Sequence, residues 1–323
     1  MQKSKLQLKN RRYLLFSSMM ICIGLLVVGS TAKAQDSFGV SITPLIREVT
    51  VKPGEEITGT VDITDTSGTT QTLYPLVRDF APSDDPTSAS PKFYEATPDD
   101  YAYALSKWVS FDEESFMLGS KKTKSIKYTI KAPADAEPGG HYGAVFVTSQ
   151  APDPTGKSEV AINARIGSLI LMTVSGDIKT SGEIVSFKPS KKIYAKPPAT
   201  LKTKIKNTGN IHLKPSGEIK ITGWSATEES LEFNKEGGNI LPESEREFTS
   251  ETKTLSWGRY YAKADLSLQS PTGDKFPFTA VATFWIIPII PILIGLAILL
   301  IIIFFWRKWL KRHDQTLKQE LKK

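Results

Sequence analysis

"APADAEPGGHYGAVFVTSQ" (132–150) sets a Pro-Gly-Gly-His run directly before an apolar segment. Glycines beside a histidine suit either a phosphate cradle or a reversal between two strands. A cradle needs a helix N-terminus just after the glycines, where free amides collect anionic charge. Here β-branched and aromatic residues follow instead, and these favour strand. His141 has no second histidine, cysteine or carboxylate at metal-ligand spacing. The stretch therefore reads as a turn at Pro138-Gly139-Gly140, with proline presetting φ and glycine supplying positive φ, followed by the strand "HYGAVFVTS" (141–149). It carries no chemistry of its own.

The same grammar extends in both directions. In "EITGTVDIT" (56–64), Ile57, Gly59, Val61 and Ile63 share one face and Thr58, Thr60 and Asp62 the other. "KSIKYTIKAP" (124–133) aligns Ile126, Tyr128 and Ile130. "ATLKTKIKN" (199–207) sets Leu201, Thr203 and Ile205 against Lys202, Lys204 and Lys206. "GRYYAKADLSLQ" (258–269) places Tyr260, Ala262, Ala264, Leu266 and Leu268 together. Alternation with period two, punctuated by Pro, Gly, Asn and Ser, predicts antiparallel sheets with one face in a core. No long window outside the two apolar ends has helical periodicity. The length of the intervening body suggests two domains. The expected fold is all-β: two tandem immunoglobulin-like β-sandwiches followed by one C-terminal transmembrane helix.

The ends set the compartment. Residues 1–34 read as a signal peptide, with Lys3, Lys5, Lys9, Arg11 and Arg12 ahead of an apolar run and Ala32-Lys33-Ala34 at the cleavage site. An uncleaved N-terminal anchor is the competing reading. Cys22, the one cysteine, lies within that apolar run, so the mature chain has no disulfide and depends on apolar cores. "WIIPIIPILIGLAILLIIIFFW" (285–306) is 22 residues without a charge. As a helix it spans roughly 33 Å, enough to cross a bilayer. Trp285, Trp306 and Trp309 fall where interfacial aromatics belong, and "RKWLKR" (307–312) follows, which places the C-terminus in the cytoplasm. A buried helix of a soluble protein is the reading that these flanks oppose. The expected division is signal peptide 1–34, membrane-distal sandwich 35–177, membrane-proximal sandwich 178–284, transmembrane helix 285–306 and basic cytoplasmic tail 307–323. "TAVATFW" (279–285) leaves no flexible stalk before the membrane. The second sandwich is thus expected to stand on the bilayer as a spacer, making a single-pass type I protein of the cell membrane with an extracellular body.

That topology reassigns the charge. Of 41 basic and 34 acidic residues, six basic ones lie in the first 34 positions, and the tail from Arg307 holds seven basic and two acidic. The body between keeps 28 basic and 32 acidic residues, a net of −4. The basic balance belongs to ends that face anionic lipid, and gives no reason to expect nucleic acid as a partner.

Several segments resemble the WxL-interacting proteins of bacterial cell surfaces. They are "VSITPLIREVTVKPGEEITGTVDITD" (40–65), "TLYPLVRDF" (72–80), "LSKWVSF" (105–111), "PADAEPGGHYGAVFV" (133–147), "RIGSLILMTVSGDI" (165–178) and "KNTGNIHLKPSGEIKI" (206–221), together with the C-terminal anchor. The resemblance implies a membrane-distal sandwich that binds peptidoglycan and a second sandwich that contacts host matrix. It also implies association with WxL-type wall proteins. These motifs mark a fold and an arrangement rather than a reaction.

Catalytic candidates are sparse. His141, His212 and His313 form no Ser/His/Asp pattern, and no cofactor or metal site is expected. The acidic runs "SDD" (83–85), "PDD" (98–100) and "DEE" (112–114) could in principle serve a glycosidase or hold calcium. None has the spacing of a calcium loop, so they read as solvated surface. The segment Ala81 to Ala104, "APSDDPTSASPKFYEATPDDYAYA", is too long for a simple connection, and such loops are commonly functional. Its Phe93, Tyr94, Tyr101 and Tyr103 are the candidate binding residues, since aromatic rings stack on sugar faces; loop anchoring is the plainer alternative. Trp108 reads as a core tryptophan. The function expected is non-enzymatic display of sandwiches that bind peptidoglycan. The alternatives are docking of another surface protein at an exposed sheet edge and, more weakly, a surface hydrolase.

Overall fold

The computed structural model describes residues 39–151, 167–224, 228–253 and 255–320, with side chains described as far as Leu310. The signal-peptide reading of residues 1–34 lies outside them, as do the last three residues of the tail.

The first sandwich comprises β1 (Val40–Thr43), β2 (Ile46–Val51), β3 (Glu56–Asp65), β4 (Gln71–Ala81), β5 (Lys92–Phe93), β6 (Val109–Phe111), β7 (Phe116–Leu118), β8 (Thr123–Lys131), β9 (Gly139–Thr148) and β10 (Ser168–Val174). One sheet runs β1-β3-β8-β6 and the other β2-β10-β9-β4-β5, with β7 also on β4. The second sandwich comprises β11 (Gly182–Pro189), β12 (Ile193–Tyr194), β13 (Thr200–Asn207), β14 (Lys214–Gly223), β15 (Glu228–Phe233), β16 (Glu245–Glu251), β17 (Gly258–Gln269) and β18 (Lys275–Ile286). Its sheets run β11-β13-β16 and β12-β18-β17-β14-β15. Pairing is antiparallel except where β10 meets β2 and β12 meets β18. A long helix, α1 (Ile289–Glu320), follows. The chain is an all-β pair of sandwiches with one apolar C-terminal helix.

Alternation built these strands as expected. In β3 the buried positions are Gly59, Val61, Ile63 and Asp65, and in β13 Leu201, Thr203, Ile205 and Asn207. In β17, Tyr260, Ala262, Ala264, Leu266 and Leu268 enter the second core beside Phe284 and Ile286. β9 departs from this pattern, being buried at all ten positions. It is central, between β10 and β4. Its Tyr142, Ala144 and Phe146 join Phe80 and Leu171 in a separate small cluster, covered by Phe93 and Tyr103 and by Leu241 of the second sandwich.

The turn expected at Pro138-Gly139-Gly140 is displaced. The chain reverses at Ala134-Asp135, and both glycines are already inside β9. The cause is crowding. A Cβ on Gly140 would lie 1.9 Å from the Tyr142 hydroxyl, and one on Gly139, whose φ is +138°, would lie 3.0 Å from the Asn210 carbonyl oxygen. The helix boundary moves as well. Trp285 and Ile286 remain in β18, opposite Arg259 and Gly258, and α1 begins at Ile289. The ladder holds them because Trp285 also pairs with Ile193 on β12. Ile289–Leu310 is 22 residues long and apolar enough to cross a membrane, with none of that window buried against the sandwiches.

The two ends of the second sandwich face different neighbours. One end carries Asn210, His212 and Leu241 against the first sandwich. The opposite end carries Gly223, Gly258 and Ile286, and the chain leaves it for α1. Between them β17 and β18 each run 12 residues, roughly 40 Å at about 3.3 Å per residue.

Candidate functional site at the junction of the sandwiches

The long segment after β4 is tied down by one carboxylate. Asp79 is fully buried. It accepts from the amides of Leu105 and Ser106, each at 2.6 Å, from the Thr97 hydroxyl at 2.6 Å, and from the Ser106 hydroxyl. Its carbonyl takes the Tyr94 amide at 2.9 Å. A buried charge is tolerable when donors surround it, and hydrogen bonds to a charged acceptor are among the stronger ones. Arg78 adds an ion pair to Glu95 at 3.0 Å. What reads in sequence as an unstructured excursion is therefore a fitted cover over the sheet.

The four candidate aromatics take different places. Phe93 pairs opposite Phe80 in β5 and packs edge-on against Phe80 and Phe146, at 5.9 and 5.0 Å between centroids. That is an anchoring position within the small cluster. Tyr94, Tyr101 and Tyr103 form a row, with centroids 5.0 and 5.8 Å apart and edge-to-face geometry. The row continues to Tyr142 at 6.2 Å and then to His212 of the second sandwich at 5.7 Å. Tyr94, Tyr101, Tyr103 and Tyr142 line a cleft of about 500 Å³ whose far wall is the Leu241–Glu245 segment.

The tyrosine hydroxyls are not equivalent. The Tyr101 hydroxyl donates to the Phe80 carbonyl at 2.7 Å, so its ring is braced. Burial raises the Tyr101 phenol well above its ordinary range, with the charges of Tyr94 and Asp79 adding to the effect. Burial also raises Tyr103, and the Glu243 carboxylate adds to it. Glu243 itself sits at φ +55°, a left-handed conformation that is costly for a residue with a Cβ. Half-buried phenol faces on one wall and carboxylates on the other suit a ligand with apolar C–H faces and hydroxyl or amide donors.

The junction is held by a clasp built on Asn210. The Gly140 amide donates to the Asn210 carbonyl at 2.8 Å. The Asn210 side chain donates to the Pro138 carbonyl at 3.1 Å and the Asp177 carbonyl at 3.2 Å, and accepts from the Lys179 amide at 2.7 Å. Gly139 lets the backbones approach this closely, since the atoms nearest to a Cβ there all belong to Asn210. Nearby, His141 places its ring nitrogens 3.0 Å from the carbonyls of Ala104 and Glu137, with Trp108 tilted against it at 4.3 Å. Trp108 is only half-buried, serving as a lid on that histidine. His212 is buried, with its Nδ1 3.3 Å from the Tyr142 hydroxyl, and its Nε2 has no hydrogen-bond partner among the described residues. Burial lowers His212 to about 4; the charge of Glu48 opposes this shift and that of Lys214 adds to it.

A second, larger cleft of about 870 Å³ lies between the Ser83–Pro91 part of the loop and the edge strands β15 and β16. There the Glu247 amide donates to the Pro86 carbonyl at 2.8 Å, so the loop touches the β16 edge at one point. The three acidic runs disperse into surface ion pairs, Asp84 with Lys92, Asp99 with Lys107, Glu113 with Lys124 and Asp112 with Lys127. Among the described residues no group of three or more His, Cys, Asp or Glu could hold a metal ion.

Sequence reasoning singled out the tyrosines and missed their partners. Asn210, His212 and Glu243 belong to a different sandwich, more than a hundred residues downstream, and nothing local connects them to the loop. Asp79 did leave a trace: a charged Arg-Asp pair inside the otherwise apolar run "LYPLVRDFA" is a signal of a partnered buried charge.

No protein-family profile matches the chain, and no curated protein is similar to it. Among solved structures, the class 5 fimbriae chaperone CfaA aligns at 15% identity and TM-score 0.38, over 75% of this chain and 98% of that one. The CupB2 chaperone of Pseudomonas aeruginosa aligns at 9% identity and TM-score 0.35, over 74% and 98%. A family 123 glycoside hydrolase from Clostridium perfringens aligns at 12% identity and TM-score 0.28, over 42% of this chain and 27% of that one. The two sandwiches are defined by this chain's own strand pairing.

Proposed function

We propose that this chain is a non-enzymatic surface scaffold, held by α1 in the cell membrane, whose tyrosine-lined cleft binds cell-wall peptidoglycan. The observation that carries the reading is the row Tyr94-Tyr101-Tyr103, which lines an open cleft opposite the Leu241–Glu245 wall. A polysaccharide strand offers apolar C–H faces to such rings, while its hydroxyl and amide groups find the carboxylates of Glu243 and Glu245. The sequence segments that resemble WxL-interacting proteins point the same way. With the basic tail in the cytoplasm, the second sandwich is a spacer that lifts the cleft by roughly its own 40 Å length. Many copies on one membrane would raise a modest affinity per site.

The test is sedimentation of the exported portion, residues 35 to 286, with isolated peptidoglycan. The cut follows Ile286 because β18 pairs with β17 to that residue. The wild type is expected to pellet without releasing soluble fragments. A Tyr94→Ala/Tyr103→Ala variant, which spares the Tyr101 brace, should lose most of the pelleted fraction. Full pelleting of that folded variant removes the cleft from the proposal, and release of fragments replaces it with a hydrolase.

A second reading is docking of another surface protein at the β16 edge. Glu247 points its amide outward to Pro86, and strand alternation turns the amides of Thr249 and Glu251 the same way, where they have no backbone partner among the described residues. A folded protein that neither pellets nor releases fragments favours this reading.

A further inference from the structure

The end of the second sandwich from which α1 departs carries the largest exposed aromatics among the described residues outside that helix. Trp224 is 67% exposed and Trp257 62%. Their rings lie 5.6 Å apart and tilted, so they form one apolar knob rather than two isolated side chains. The knob is held in place. Gly258 has φ +149°, and a Cβ there would lie 2.5 Å from the Trp224 indole nitrogen, so glycine lets that ring lie across the backbone. Trp285 is 44% exposed with the Arg259 guanidinium 5.9 Å over its ring, and Ile193 beside it is 50% exposed. Strand register puts all of them at one level: Gly223 opposite Tyr260, Gly258 opposite Ile286, and Ile193 beside Trp285. Ile289, the first residue of α1, is three residues beyond that level.

Charge at this end complements an anionic surface. Lys191, Lys192 and Lys196 are exposed in the segment that leads into and out of β12. That segment is fastened to the helix approach: the Trp285 amide donates to the Lys192 carbonyl at 2.9 Å, and the Ile287 amide to the Tyr194 carbonyl at 2.8 Å. Glu228, Glu229 and Glu251 lie on the same end, but by the strands β15 and β16, away from β12 and β18. Indole rings favour the headgroup layer, where an apolar body and a polar N–H are both accommodated, and lysines near an anionic leaflet gain from its surface potential.

We infer that this end is a lipid-headgroup binding surface: the Trp224–Trp257 knob, Trp285 and Ile193 enter the interfacial layer, and Lys191, Lys192, Lys196 and Arg259 engage anionic headgroups. The inference rests on the reading that α1 crosses a membrane. Its consequence is mechanical. A domain joined to the bilayer by one helix is free to tilt, whereas one seated by a knob and a basic segment presents its far cleft at a set height and angle.

The test uses the full-length chain in vesicles of phosphatidylcholine with phosphatidylglycerol, a share of the lipid carrying a nitroxide quencher near the headgroup. The chain has six tryptophans. A Trp224→Phe/Trp257→Phe variant, checked for unchanged circular dichroism, should show a smaller quenchable share of emission than wild type. A larger quenchable share in the variant means the removed pair was emitting from water or from a protein contact, and overturns the inference. Trp306 and Trp309 report on α1 in both proteins. If these stay unquenched, or the chain fails to float with the vesicles, the membrane-crossing premise itself is lost and this inference with it. A Lys191→Gln/Lys192→Gln/Lys196→Gln variant should lose quenching in vesicles with phosphatidylglycerol and not in pure phosphatidylcholine. Equal behaviour in the two vesicles overturns the headgroup assignment.

Discussion

Asn210 and His212 show how much a single residue does at the junction. Asn210 crosses the boundary with its carbonyl and its side-chain NH2 while its own amide and side-chain oxygen hold Lys179, and Gly140 is small because Tyr142 occupies the space a Cβ would need. His212 supplies a pH dependence. Its folded value of about 4 is below the ordinary 6.5. A depressed folded pKa makes the unfolded chain the better proton acceptor, so this contribution to stability is complete above about pH 6.5 and is lost as pH falls toward 4. The loss is on the order of 3 kcal/mol. Chemical denaturation of residues 35 to 286 between pH 7 and 4 should show it as a falling midpoint. A His212→Gln variant should flatten the curve in that window; an equally steep variant would assign the effect to other groups.

At the scale of elements, the segment from Ala81 to Ala104 is the instructive case. Its cohesion comes from Asp79, which lies outside it and bonds residues up to 27 positions away. Replacing Asp79 with alanine strands two amides and two hydroxyls in a buried place. Stability is expected to fall by roughly 3 kcal/mol or more, and limited proteolysis should begin within 82–104. Unchanged cleavage kinetics would mean the cover is held by its aromatic contacts alone. This segment also explains why some strands were legible and others were not. β3, β13 and β17 keep one face in a core and the other in water, so burial alternates with period two and the pattern is written into the residues. β9 is covered on both faces, so its run carries no period, and its glycines looked like a turn when they belong to the strand.

At the scale of the whole molecule, the parts form a series: junction cleft, 12-residue strands, exposed tryptophans and α1. The proposed orientation has a direct check. A membrane-impermeant lysine reagent applied to intact cells should label the body and spare the tail from Lys308 onward. The opposite labelling would invert the topology. Residue chemistry alone settled the class of fold, the two-sandwich body, the apolar helix and the aromatic loop, because alternation, an uncharged 22-residue run and composition are local properties of a chain. Tertiary structure alone decided that three of the loop's tyrosines open onto a cleft whose other wall is in the second sandwich, that Asp79 anchors the cover, and that Trp224 and Trp257 meet beside the helix. Those arrangements depend on register and packing between segments far apart in sequence, and no short stretch of residues encodes a neighbour it has not yet met.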